Sequence, residues 1–188
     1  MFNDIFKRLS GLIFKPAETW EKLSLEKENR ETFLSRYLYP LIGLIALAAF
    51  MGILFSRKEF DFEIALKSAI KAVVSTTGGF FLGASLIQEI RHGIFHRPKD
   101  TALCYGFTGY ASAWMFVLSI TLSLLPEFSF LRIVVLYTVY LIWEGATPYM
   151  HIREEERLKF TAIASAAIIL TPLAIDFLLF LLMPGLRL

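Results

Sequence analysis

The sequence predicts an all-α polytopic transmembrane helical bundle of five spans behind an N-terminal amphipathic helix. Three observations carry this: an apolar excess, five apolar runs long enough to cross a bilayer, and basic residues gathered on alternate loops. Hydrophobic residues make up 56% of the chain and charged residues only 19%, where a soluble domain averages about 45–50% and about 25%. Such a chain needs an apolar solvent. Five spans of about 20 residues use most of its 188 residues, which leaves no room for a second folded domain. A net charge of only +2 offers no nucleic-acid-binding surface.

Residues 1–36 read as a cytoplasmic segment, and 37–188 as the membrane domain. In the first, Phe2, Ile5, Phe6, Leu9, Leu12 and Ile13 recur at helical spacing on one face, while Asp4, Lys7, Arg8 and Ser10 lie elsewhere. This is the pattern of a helix lying in the membrane interface, with Phe2, Phe6 and Leu9 toward lipid. Pro16 interrupts it after Lys15, and a second short helical piece carries Trp20 and Leu23. Trp20 is expected at headgroup depth, where an indole is both buried and hydrogen-bonded. Charged residues recur from Asp4 to Arg36, so no secretory leader is expected.

The spans fall at about 37–55, 64–87, 102–125, 128–150 and 160–183. The second is the least apolar, since it holds Lys67, Lys71 and a small-residue centre. Its Ser75, Gly79 and Gly83 recur every four residues, which suits close approach of a neighbouring helix. Pro126 and Glu127 separate the third and fourth spans and predict a tight hairpin at the water interface. Thirteen Lys and Arg fall in the N-terminal segment and the second and fourth loops. Six fall elsewhere: Arg57, Lys58, Lys67, Lys71, Arg132 and Arg187. Positive residues stay inside, which places the N-terminus in the cytoplasm and the C-terminus outside.

Ionisable groups at bilayer depth are costly and point to sites. Glu144 is the first, because Pro148 lacks the N–H that would bond its carbonyl. With Thr147 and with Tyr105 and Thr108 of the third span it makes a candidate proton or cation site. Asp176 is the second, with Lys71 at matching depth as its expected partner and Lys67 nearer water. Pro172, four residues earlier, frees the carbonyl of Ile168. Kinked helices carrying acids near the midplane keep a small transporter or channel as the alternative function. Glu89, His92 and His96 are spaced to share a helical face and form a candidate divalent-metal site, with Gly93 and Pro98 as obstacles. That site would imply a metal-dependent membrane enzyme, the least favoured of the three readings. The run Glu154-Glu155-Glu156 before Arg157 lacks the later histidines of intramembrane prenyl proteases, and the chain has no HExxH or nucleophile elbow. No catalytic residue and no cofactor is therefore expected. Cys104, the single cysteine, has no partner for a disulfide or metal ribbon.

Two strings carry a resemblance. They are Ile13-Phe14-Lys15-Pro16 with Glu18-Thr19-Trp20 near the start, and Tyr140-Leu141-Ile142-Trp143-Glu144-Gly145-Ala146-Thr147-Pro148-Tyr149 at the end of the fourth span. With five spans and a cytoplasmic N-terminus, the chain resembles the bacterial branch of the Yip (Ypt/Rab-interacting protein) domain family over nearly its whole length. The resemblance implies a small helical bundle in the bacterial cytoplasmic membrane, whose eukaryotic relatives are membrane adaptors that bind Rab-type GTPases. The chain begins without the long N-terminal extension of many of those relatives, which argues against a GTPase-binding role. The expected function is a non-enzymatic adaptor or organiser of membrane components. Its expected partners are membrane lipids and other membrane proteins, met through the N-terminal helix and the loops at 88–101 and 151–159.

Overall fold

The structure, a computed structural model, describes residues 2–26, 28–56 and 61–182. The side chain of Phe2, the basic residues Lys27, Arg57, Lys58 and Arg187, and residue 183 at the end of the fifth span lie outside the described residues. Among the described residues every element is helical: α1 (Phe2–Phe14), α2 (Pro16–Glu26), α3 (Arg30–Phe33), a π-wound turn (Leu34–Leu38), α4 (Tyr39–Ser56), α5 (Phe62–Gly93), α6 (Thr101–Ala111), α7 (Ala113–Leu124), a 3-10-wound stretch (Pro126–Leu136), α8 (Tyr137–Ala146) and α9 (Glu154–Leu182).

Prolines and caps set most of the boundaries. Pro16 opens α2 at the first helical position, where its missing N–H costs nothing, and so separates α2 from α1. Pro40 cannot bond the carbonyl of Arg36, and the turn before it widens, with Tyr39 N–H reaching back to the carbonyl of Leu34. Asp61 and Asp100 cap α5 and α6, accepting from the Ile64 and Leu103 amides at 3.1 and 3.0 Å.

Four helical stretches are long and apolar enough to cross a membrane: Arg30–Phe55, Phe62–Gly93, Pro126–Ala146 and Glu154–Leu182. A fifth is supplied by α6 and α7 if they count as one span, bent by 43° at Ser112. That bend was not expected. It falls in the small-residue run Ala111-Ser112-Ala113, where little side-chain bulk holds a helix straight. The fourth span also differs: its first half is 3-10-wound, and α8 ends at Ala146 instead of running to residue 150. Pro148 therefore terminates this helix, where a kink would have let it continue.

Helix α5 is the centre of the bundle and packs on α4, α6 and α9. Its small-residue face does what the spacing predicts. A Cβ added at Gly79 would lie 2.8 Å from the Pro172 Cα, so only glycine lets these two backbones approach. The N-terminal helices do not stand apart. Helix α1 packs on α7, α2 on α8 and α3 on α6, and Ile5, Leu12, Trp20 and Phe33 join the same buried cluster as Phe107, Ile142 and Phe160. They form a cap over one end of the bundle.

Candidate functional site

The residues of the two sequence strings meet at the capped end. In α2, Pro16, Trp20 and Leu23 fall one helical turn apart and all three are buried. Trp20 is 0% exposed, its ring 5.2 Å from Tyr149, 5.4 Å from Phe107 and 6.1 Å from Tyr110. It lies flat on Gly145, where a Cβ would come within 2.6 Å of the indole. This corrects the headgroup assignment. The apolar stripe of α2 is covered by protein, and the Trp20 Nε1 has no hydrogen-bond partner among the described residues. An unpaired buried N–H costs about 1–3 kcal/mol, so ring packing must outweigh that loss. Of the other expected interface residues, Leu9 is partly buried against the bundle, while Phe6 is 72% exposed.

A second set of contacts fastens α1. The Arg8 guanidinium donates to both carboxylate oxygens of Glu28, at 2.7 and 2.8 Å, to Glu26 at 2.7 Å, and to the Tyr110 hydroxyl of α6. Tyr110 in turn donates to Glu28 at 2.9 Å. Burial pushes the Glu28 carboxyl up, but the bonds from Arg8 and Tyr110 outweigh it and hold the group below the ordinary carboxylate value. The Tyr137 hydroxyl donates to the Ile13 carbonyl at 2.8 Å, which pins the far end of α1 to the flank of α8. No periodic signal in the sequence pointed to Arg8, Glu28 or Tyr110.

Glu144 lies at this same end. Its carboxylate is 3.9 Å from Arg157 of α9, whose Nε donates to the Trp143 carbonyl at 3.0 Å and whose guanidinium stacks 4.3 Å over the Trp143 ring. Glu144 and Thr147 share a cavity of about 260 Å³ with Ala17, Glu21, Glu154 and Arg157. Thr147 is thus brought beside Glu144, although its hydroxyl bonds Glu154 at 2.9 Å. Tyr105 and Thr108 are not. Tyr105 packs on Phe80 and Phe81 beneath Arg30, and Thr108 lines a different cavity, between α5, α6, α7 and α9, with Asp176.

Asp176 and Lys71 form no ion pair among the described residues. The register of α5 on α9 explains why: Ser75 reaches the Pro172 carbonyl at 3.4 Å and Gly78 faces Ile175. Asp176 is therefore level with Ser75 and Thr76, and Lys71 falls about one turn beyond it. Lys67 pairs with Glu63 on its own helix. The metal candidates do not converge either. Glu89 pairs with Lys99 at 2.5 Å, His92 Nδ1 lies 3.1 Å from the Arg97 carbonyl, and α5 ends at Gly93, before His96. Among the described residues no three His, Cys, Asp or Glu side chains are grouped to hold a metal.

The family model described as Yip1 domain matches residues 10–175. The chain belongs to the Yip1 domain family. No curated protein and no solved structure matches it. The matched stretch runs from the second half of α1 to just past Pro172, so the Trp20 socket, Glu144 with Arg157 and the Thr108 cavity wall all belong to the Yip1 domain. The protein is an integral membrane protein of this family, built as a polytopic helical bundle.

Proposed function

We propose that this Yip1-domain protein is a non-enzymatic organiser of membrane components in the bacterial cytoplasmic membrane. The cap faces the cytoplasm and the C-terminus lies outside, as the thirteen basic residues of the N-terminal segment and the second and fourth loops favour. The observation that carries the proposal is how α1 is held. Arg8 and Tyr137 clamp it to the bundle and Ile5 and Leu12 are buried, while Phe6 and Phe14 are left 72% and 81% exposed next to Lys7 and Lys15. Tyr137 lies nine residues before the end of α8, about 14 Å along the helix. Helix α1 thus lies along the flank of the bundle, where lipid and the sides of neighbouring membrane proteins are found. Exposed aromatics beside lysines suit both anionic headgroups and an apolar helix face. The transporter alternative loses one of its two acids, because Glu144 faces Arg157 and the cap.

The test is a photo-crosslinking residue placed at Phe6 or Phe14 and irradiated in native membranes, with Leu12 as the buried control. Adducts to lipid or to one defined membrane protein from positions 6 and 14, and none from 12, are expected. Crosslinks confined to this chain's own bundle would defeat the proposal.

A further inference from the structure

Away from the cap, a half-open cavity of about 210 Å³ lies between α5, α6, α7 and α9. Three departures from regular helix packing frame it: the bend at Ser112, the proline at position 172 within α9, and the glycine and serine face of α5. Its polar lining is Asp176 with the hydroxyl residues Ser75, Thr76, Thr108, Ser112 and Ser119, set among Phe80, Phe116 and Ile168. Broken helices at membrane depth persist where their freed polar groups are buried in protein or face a hydrated space.

The unmet polar groups point to a ligand. Thr108 is 1% exposed and its hydroxyl has no hydrogen-bond partner among the described residues. Pro172 has no N–H for the Ile168 carbonyl, which accepts a long, 3.4 Å bond from the Thr171 hydroxyl. No cationic side chain lines the cavity, and Asp176 has no ion-pair partner among the described residues. One carboxylate, several hydroxyls and a carbonyl short of a donor form an all-oxygen set, the kind that hard cations take. The single carboxylate decides the charge. It neutralises one monovalent ion, whereas calcium sites commonly gather several carboxylates. At about 30 Å³ per water, the space holds roughly seven waters, or an ion keeping part of its hydration shell.

We propose that this cavity binds a small monovalent cation, with Asp176 as counter-ion and Thr108 as an oxygen ligand. The site is independent of the cap and goes beyond the organiser reading. The test uses the full chain purified in detergent, its unfolding midpoint followed in sodium, lithium or potassium chloride against choline chloride at equal ionic strength, pH 8. Binding to the folded state alone raises the midpoint in a saturable way. A saturable rise with at least one of the three ions is expected. It should be absent in Asp176→Asn, need at least threefold more salt in Thr108→Val, and be unchanged in Glu144→Gln. One midpoint in all four salts, or an undiminished rise in Asp176→Asn, overturns the proposal. Should Asp176→Asn not fold, radiolabelled sodium binding to the wild-type chain decides: counts displaced by unlabelled sodium, lithium or potassium support the site, and counts that none of them displaces overturn it.

Discussion

Glu144 and Asp176 are each four residues from a proline in an apolar helix, yet the two regions differ in kind. Pro148 follows its acid, and α8 ends at Ala146, so Glu144 lies at the last turn beside Arg157 and the cap. Pro172 precedes its acid, and α9 continues to Leu182, so Asp176 lies within the helix, lining the cavity between α5 and α9, with no ion-pair partner among the described residues. A proline strips the donor from the carbonyl four residues before it. The order of proline and acid thus separates an acid held at a helix end from one set within the helix. At the capped end Trp20 and Phe33 are seated on Gly145 and Gly109, and Arg8 is paired with Glu28 and Glu26. The cavity region keeps an acid without an ion pair and, at Thr108, a buried hydroxyl without a hydrogen-bond partner among the described residues. The first is built for rigidity, the second for occupancy.

If that contrast holds, substitutions at the capped end cost stability and those in the cavity do not. The largest effect is expected for Trp20→Ala. It empties a socket lined by Gly145, Tyr149, Phe107 and Tyr110, at a cost of about 3–5 kcal/mol. Thermal unfolding in detergent measures the loss, and limited proteolysis should show α1 and α2 released before the bundle unfolds. An intact cap in this variant would break the comparison.

Next comes Arg8→Ala, which removes charge-assisted bonds to Glu28 and leaves that carboxylate partly buried, at about 2–3 kcal/mol. The same contact predicts an acid limb. Glu28 in the folded chain lies below its ordinary value of 4.5. Its stabilising contribution is therefore complete above about pH 4.5 and is lost as the pH falls through the lower folded value. Wild-type stability should fall through that window, and Glu28→Gln should flatten the fall. Arg157→Ala ranks lower, near 1–2 kcal/mol, because its 3.9 Å pair with Glu144 is long and part-exposed, its 3.2 Å pair is with the exposed Glu154, and the rest of its hold is on the Trp143 carbonyl and ring. A double-mutant cycle with Glu144→Gln should return a coupling of under about 1 kcal/mol.

How much of this was legible in the sequence depends on which physical signal each feature leaves. The presence of long apolar helices and the close approach of a neighbouring helix at Gly79 follow from hydropathy and four-residue spacing, both local properties, and they read out directly. Trp20 did not, because an apolar stripe has the same period whether lipid or protein covers it. Thr108 was paired with the wrong acid for a related reason: counting residues gives depth along a span but not the direction a side chain faces. The Lys71 and Asp176 expectation failed by about one turn, since depth counted from apolar boundaries cannot set the register between two helices. Tyr110 lies 82 residues from Glu28 and 102 from Arg8, which are themselves 20 apart, and such pairings leave no periodic trace. The bend at Ser112 left a signal in its run of small residues, which reads equally well as tight packing.

The smallest effect belongs to Asp176→Asn, and its smallness is informative. An ionised side chain at membrane depth normally costs stability unless it is paired, and among the described residues Asp176 has no ion pair. Asparagine keeps the shape and removes the charge, so in choline chloride the variant should unfold within about 0.5 kcal/mol of wild type or be more stable. A loss of about 2 kcal/mol would instead mean that the carboxylate is a structural strut, as Glu28 is at the cap, and would erase the distinction between the two regions. A neutral or stabilising result would mean that Asp176 is retained against the interests of folding. That leaves its charge to be accounted for by what enters the cavity.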